Sequence, residues 1–152
     1  MTAILTRTRA AVWTCLKNWP ALKSGSNSIF TTLFEADADV ERLELQGLFL
    51  PDLPAVAVRW AAFEPGWHLY QTQRWPAAIV VETWWSLAAL STAESRVQDV
   101  IEAVGRYAAT PGVNYLQSQI GHYPERWGPV SVEAVEIRER QKAYRAQVSF
   151  IL

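Results

Sequence analysis

Ala77-Ala78-Ile79-Val80-Val81-Glu82-Thr83-Trp84-Trp85 is the stretch on which the fold turns. Its continuous apolar opening suits a strand covered on both faces, and so predicts the centre of a sheet. Upstream, Val56, Val58 and Trp60 alternate with smaller or polar neighbours from Ala55 to Ala62, which predicts a strand with one buried face. Pro51 and Pro54 bracket its entry. Glu64-Pro65-Gly66 reads as a turn, and a second strand is expected over roughly Trp67 to Arg74, with Pro76 separating it from the central one.

Downstream, residues 93 to 109 carry the clearest helical period. Val97, Val100, Ile101, Val104 and Ala108 share one face, while Gln98, Asp99, Glu102 and Arg106 take the other, and Thr92 is placed to cap the start. Thr110-Pro111-Gly112 stops that helix. Residues 113 to 129 then read as a long connection rich in glycine, proline and aromatics. Val130 to Ile137 and Ala143 to Ile151 alternate around the charged tip Arg138-Glu139-Arg140-Gln141-Lys142, with Tyr144, Ala146, Val148 and Phe150 on one face: a closing hairpin.

At the other end, Leu5, Val12, Leu16 and Trp19 fall on one face of a helix over residues 3 to 18, with Arg7, Thr14 and Lys17 elsewhere. Pro20 forbids its continuation, and Lys23-Ser24-Gly25-Ser26-Asn27-Ser28 is turn chemistry. Ile29 to Phe34 is a short β-leaning run. The order of helix, several strands, helix and two strands predicts an α+β fold: a mostly antiparallel sheet, two helices packed on one face, and a terminal β-hairpin. The 152 residues fit one domain, 1-152, with no repeat or linker to divide it.

Fourteen basic residues against fifteen acidic ones give no field that argues for nucleic acid or an anionic membrane. The one cysteine, Cys15, cannot close an intramolecular disulfide, and a reducing compartment is the natural reading. Arg7 and Arg9 interrupt the first apolar segment, and no stretch approaches the ~18 apolar residues of a membrane span, so neither a secretion signal nor an anchor is expected. Eight tryptophans, five tyrosines and five phenylalanines are many for this length, and aromatics concentrate in cores and interfaces.

Catalysis finds little support. A nucleophile needs an activating base, and only His68 and His122 are present: the first in an alternating strand beside Trp67, the second in the Gly121-His122-Tyr123-Pro124 turn. A structural histidine and a polar loop residue are the simpler accounts. Cys15 lies beside the apolar stripe of the first helix and reads as a small buried hydrophobe. Glu35, Asp37, Asp39 and Glu41 mimic a calcium loop but lack its glycine and distal glutamate, and read as a solvated acidic loop. Glu64 and Glu82 could pair only if the fold brought them together. With no phosphate-cradling glycine pattern or zinc spacing, the expectation is no enzyme, no metal and no cofactor. Arg138, Arg140, Lys142 and Arg145 cluster at the predicted tip, diluted by Glu136 and Glu139. The aromatics Tyr115, Tyr123 and Trp127 are either docked on the chain's own core or offered to another chain.

This layout resembles the tail terminator proteins of long-tailed bacteriophages. The residues that carry the resemblance are Thr6-Arg7-Thr8-Arg9-Ala10-Ala11-Val12 on the first helix, Leu53-Pro54-Ala55-Val56-Ala57-Val58 at a strand entry, the central apolar strand, the helix from Glu94 to Tyr107 and the closing hairpin. The resemblance implies a virion subunit, made in the host cytoplasm, that assembles into a ring, typically a hexamer. That ring would sit at the head-proximal end of the tail tube, end its polymerisation and present a surface to the neck, with DNA only passing through the lumen. Its partners would be itself, the tail tube protein and a neck or connector protein. Tyr115, Tyr123, Trp127, Arg138, Arg140 and Lys142 are then the candidate assembly contacts. The rivals are a head-tail connector of the same virion, and a small-molecule-binding α+β domain with an aromatic pocket anchored by His68 or Glu82.

Overall fold

In the computed structural model, which describes residues 2–35, 37–63, 66–67, 73–74, 77–121 and 126–151, the chain opens with helix α1 (Thr2–Asn18). A two-residue ribbon follows, β1 (Lys23–Ser24) with β2 (Asn27–Ser28), then β3 (Thr32–Phe34) and helix α2 (Asp37–Gln46). Strand β4 (Ala55–Phe63), the short β5 (Gly66–Trp67) and β6 (Gln73–Arg74), and β7 (Ala77–Ser86) lead to helix α3 (Leu90–Arg106). The short helix α4 (Tyr115–Ile120), β8 (Arg126–Glu136) and β9 (Lys142–Ile151) complete the order.

One five-stranded sheet in the order β3-β4-β7-β9-β8 organises the molecule, with β7 third of five. All its pairs are antiparallel except β3 with β4, where Leu33 faces Val56. This is the α+β fold that the alternating strands and two amphipathic stripes predict, and the closing β8–β9 hairpin is present.

Side chains alternate across the sheet, so two cores form. On one face Val56, Val58, Ile79, Val81, Trp85, Val148 and Phe150 meet Val12 and Leu16 of α1, Val100 and Val104 of α3, and Leu116 of α4. On the other face Phe34, Ala55, Ala57 and Trp84 meet Leu43 and Leu48, on and just after α2. The central strand is therefore covered on both sides, as its apolar run requires. Strand β4 is too: Ala55 and Ala57 are as buried as Val56 and Val58, against the expectation of a single buried face. Their small side chains admit the close approach of Leu43 and Trp84.

Four further expectations are corrected. The acidic stretch is no loop, because Val40 and Leu43, three residues apart, both pack on the second core, and that contact holds residues 37 to 46 in α2 while Glu41 and Glu44 face solvent. Gly47 ends this helix at φ +76°, its N–H donating to the Leu43 carbonyl at 2.9 Å. Helix α3 begins at Leu90, so Thr92 lies in its first turn instead of capping it, and Ala108 falls beyond its end. The expected strand from Trp67 to Arg74 is two strands, since Gly66–Trp67 pairs antiparallel with Gln73–Arg74.

The fourth is the connection after α3. Asn114 caps α4 through its side-chain oxygen, which accepts from the Gln117 N–H at 2.9 Å, while its amide donates to the Gly105 carbonyl at 2.9 Å. Gly121 closes α4 in the left-handed region, and the closing hairpin starts at Arg126, earlier than Val130.

Candidate assembly surface

Strand β8 has β9 on one side, and among the described residues no strand pairs with its other side. It is eleven residues long, whereas β3 on the opposite edge has three. A row of outward backbone N–H and C=O groups on a long edge is a template for another strand. None of the side chains from 127 to 136 is buried; Trp127 is 37% and Val130 46% exposed. Val130, Val132 and Ala134 face Val148, Ala146 and Tyr144, so they extend the first core outward to the edge.

A bulge between Trp127 and Val130 limits where pairing can occur. Gly128 is required there, because a Cβ would lie 2.6 Å from Ser149 Oγ, the hydroxyl that donates to the Pro129 carbonyl at 3.0 Å. Pro129 has no N–H to offer an added strand. The uninterrupted part of the edge is therefore residues 130–136.

The three candidate aromatics do not form one loop. Tyr115 sits at the start of α4, half-buried, with its ring 5.4 Å from that of Tyr107 and its N–H donating to the Tyr107 carbonyl at 2.8 Å. It is docked on the chain's own core. Trp127 lies on β8, its ring tilted 53° against Phe150 at 5.2 Å and over Gly105 of α3, leaving a third of it in solvent. Tyr123 lies outside the described residues, as do His68, His122 and Glu64.

The basic tip is divided as well. Arg138 is tied back to the segment after α2, its N–H donating to the Leu48 carbonyl at 2.9 Å and its guanidinium 4.3 Å above the Phe49 ring. Arg140 and Lys142 stay exposed. Glu139 and Arg140 hold φ of 62° and 57°, a conformation L-residues rarely adopt, which the Ile137 N–H to Gln141 carbonyl bond at 2.7 Å closes into a turn.

Behind the tip, on the α2 face, an open recess of about 390 Å³ is lined by Leu43, Trp84, Glu82, Arg59, Arg138 and Arg145 among others. Glu82 is buried, and its carboxylate lies 3.3 Å from Arg59 Nε, which makes no aligned hydrogen bond. Arg59 also reaches Glu44 at 3.3 Å, and Arg145 pairs with Glu133 directly across the β8–β9 ladder. Cys15 is fully buried, and that desolvation pushes its thiol up to about 12, partly offset by a backbone hydrogen bond. Neutral at ordinary pH, it is no ready nucleophile.

Composition and patterning do not single out Val130, the open edge, or the approach of Arg59 to the buried Glu82. No local pattern announces the edge: Ser131 and Glu133 show only that one face of this strand is polar. A scan against protein-family models gives no match for this chain, and a search of curated proteins gives none either.

Proposed function

We propose that this chain is a structural subunit that works by shape, forming a ring that caps the head-proximal end of a phage tail tube and joins it to the neck. The observation that supports it most is β8: among the described residues its outer edge is unpaired, uninterrupted over residues 130–136 and continuous with the first core, with Trp127 and Val130 exposed on it. The bulge blunts one end of this edge and Glu133 and Glu136 put charge on the rest, yet Val130 and Val132 leave an apolar stretch between them. A head-to-tail contact made on it closes into a ring when the rotation per subunit closes. Two unlike faces of that ring let one meet the tube protein and the other a neck or connector protein. Arg140 and Lys142, exposed at one end of the sheet, are the contacts proposed for one of those faces. The resemblance to tail terminators supports the same reading, in which the site of action is the virion and no turnover occurs.

The test is negative-stain electron microscopy of the purified chain with tail-tube protein. Rings, and tubes capped at one end, are expected; a species that stays monomeric and leaves tube length unchanged would refute the proposal. A second reading rests on the recess, whose Trp84 floor and Glu82 carboxylate match a small-molecule pocket. It predicts a thermal shift with small amphipathic ligands that Glu82→Gln abolishes, and no shift across such a set would dispose of it.

A further inference from the structure

Helix α2 and the segment after it cover only part of their face of the sheet. Phe34, Ala55, Ala57 and Trp84 are sealed against Leu43 and Leu48, but Arg145, which faces Trp84 across the β7–β9 ladder, is 32% exposed. The recess of about 390 Å³ lies where that cover stops, within the ~300–1,000 Å³ usual for ligand sites. Its apolar wall comes from Leu43, Trp84, Val135 and Ile137, the last two only partly buried.

Three guanidinium groups line the same space, and their partners set them apart. Arg59 is held by two carboxylates, Glu82 and Glu44, each at 3.3 Å. Arg145 has one, Glu133, reached through a terminal nitrogen, while its Nε–H is buried without a partner. Arg138 pairs with no carboxylate among the described residues; its backbone is tied to Leu48 and its guanidinium lies over the Phe49 ring. A guanidinium carries five N–H donors, and contact through its face with a ring uses none of them. Donors are therefore left over at the end of the recess nearest the hairpin tip. Glu82 is set back from that end, two residues further along β7 than Trp84, or about 7 Å at the rise of a strand.

We infer that the recess binds an organic carboxylate, its head on Arg138 and Arg145 and its apolar body along Trp84, Leu43 and Ile137. The planar fork of a guanidinium matches the two oxygens of a carboxylate. Glu133 and Glu82 repel a second negative charge, which disfavours a phosphate head. Glu82 acts by holding Arg59 in the wall, away from the head. This rests on the pocket reading of the recess and names its ligand.

The test is isothermal titration calorimetry of the full chain against probes that share one alkyl body: octanoate, octan-1-ol, octylammonium and octyl phosphate. Octanoate is expected to bind tightest. Its affinity is expected to fall about tenfold or more in Arg138→Gln and in Arg145→Gln, as when a charge-assisted hydrogen bond is lost. Arg106→Gln, exposed on α3 across the sheet, is expected to bind octanoate as the natural sequence does. Thermal melting establishes that each variant folds. Rising salt tests the natural sequence without any substitution, since it should weaken octanoate and spare octanol. Octanol, octylammonium or octyl phosphate binding as tightly as octanoate, folded Arg138 and Arg145 variants that bind it unchanged, or an affinity indifferent to salt would overturn the inference and leave the pocket reading standing. Binding of none of the probes would overturn both.

Discussion

Replacing Trp127 with Ala separates the two roles its position imposes. Two-thirds of the side chain is out of water, against Phe150 at 5.2 Å and above Gly105 of α3. A fully buried Trp→Ala change costs about 3–5 kcal/mol, so scaling by the buried share gives about 2–3 kcal/mol, which includes the ring-ring term of roughly 1 kcal/mol. A Trp127 offered to another chain predicts a loss of association, and its stacking on Phe150 means that stability must fall as well. Urea unfolding at a concentration where the natural chain is monomeric measures the first, with an unchanged m-value as the control. Mass photometry at matched folded fraction measures the second. Trp127→Phe, which keeps a ring against Phe150, is expected to recover about half of the stability. A loss under about 1 kcal/mol for Trp127→Ala would show that the ring is not anchored as described and would refute the packing argument.

Other perturbations follow from named contacts. Because the folded state holds the Cys15 thiol near 12 while the unfolded chain ionises near 9.0, the unfolded state sheds its proton first as pH rises. The stability that Cys15 contributes is present below the unfolded value and is lost as pH climbs toward the folded one, at about 1.4 kcal/mol per pH unit. The difference between the natural chain and Cys15→Ala should show that slope between those pH values in urea titrations, and parallel profiles would contradict it. Gly128→Ala should destabilise by about 1–3 kcal/mol, since the added methyl meets Ser149 Oγ, and Ser149→Ala should relieve part of the loss; additive effects would argue against that clash. Arg59→Met strands the buried Glu82 carboxylate without its cation, so it should cost more in chemical denaturation than Glu82→Gln, and the reverse order would mean that Glu82 has another partner.

The sheet was legible because its strands carry their burial in their period. The central run from Ala77 to Trp85 and the stripe of Tyr144, Ala146, Val148 and Phe150 name their faces outright. Helix α3 was legible for the same reason, apart from its start, where Leu90 precedes the polar Ser91 and Thr92 that look like a cap. Helix α2 was hidden because its apolar face is only Val40 and Leu43, set among carboxylates, and its stability comes from Trp84 and Phe34 across the sheet. Helix α4 did leave a trace: Asn114, with Gln117 three residues on and Gly121 after the last turn, is a cap-and-stop pattern. Among the candidate contacts, Trp127, Arg140 and Lys142 are exposed, whereas residue type does not give Arg138's stacking on Phe49 or Tyr115's on Tyr107, both made by residues brought together only in three dimensions. The open edge is a property of strand order, which no local pattern in residues 126–136 encodes.

The central claim, that a repeated subunit acts by closing on itself around an open edge, is met most directly by native mass spectrometry of the purified 152-residue chain. A closed ring, a hexamer on the terminator reading, with no ladder of intermediate sizes at high concentration, is the expected spectrum. A single monomer peak across the whole concentration range, with or without tube protein, would contradict it.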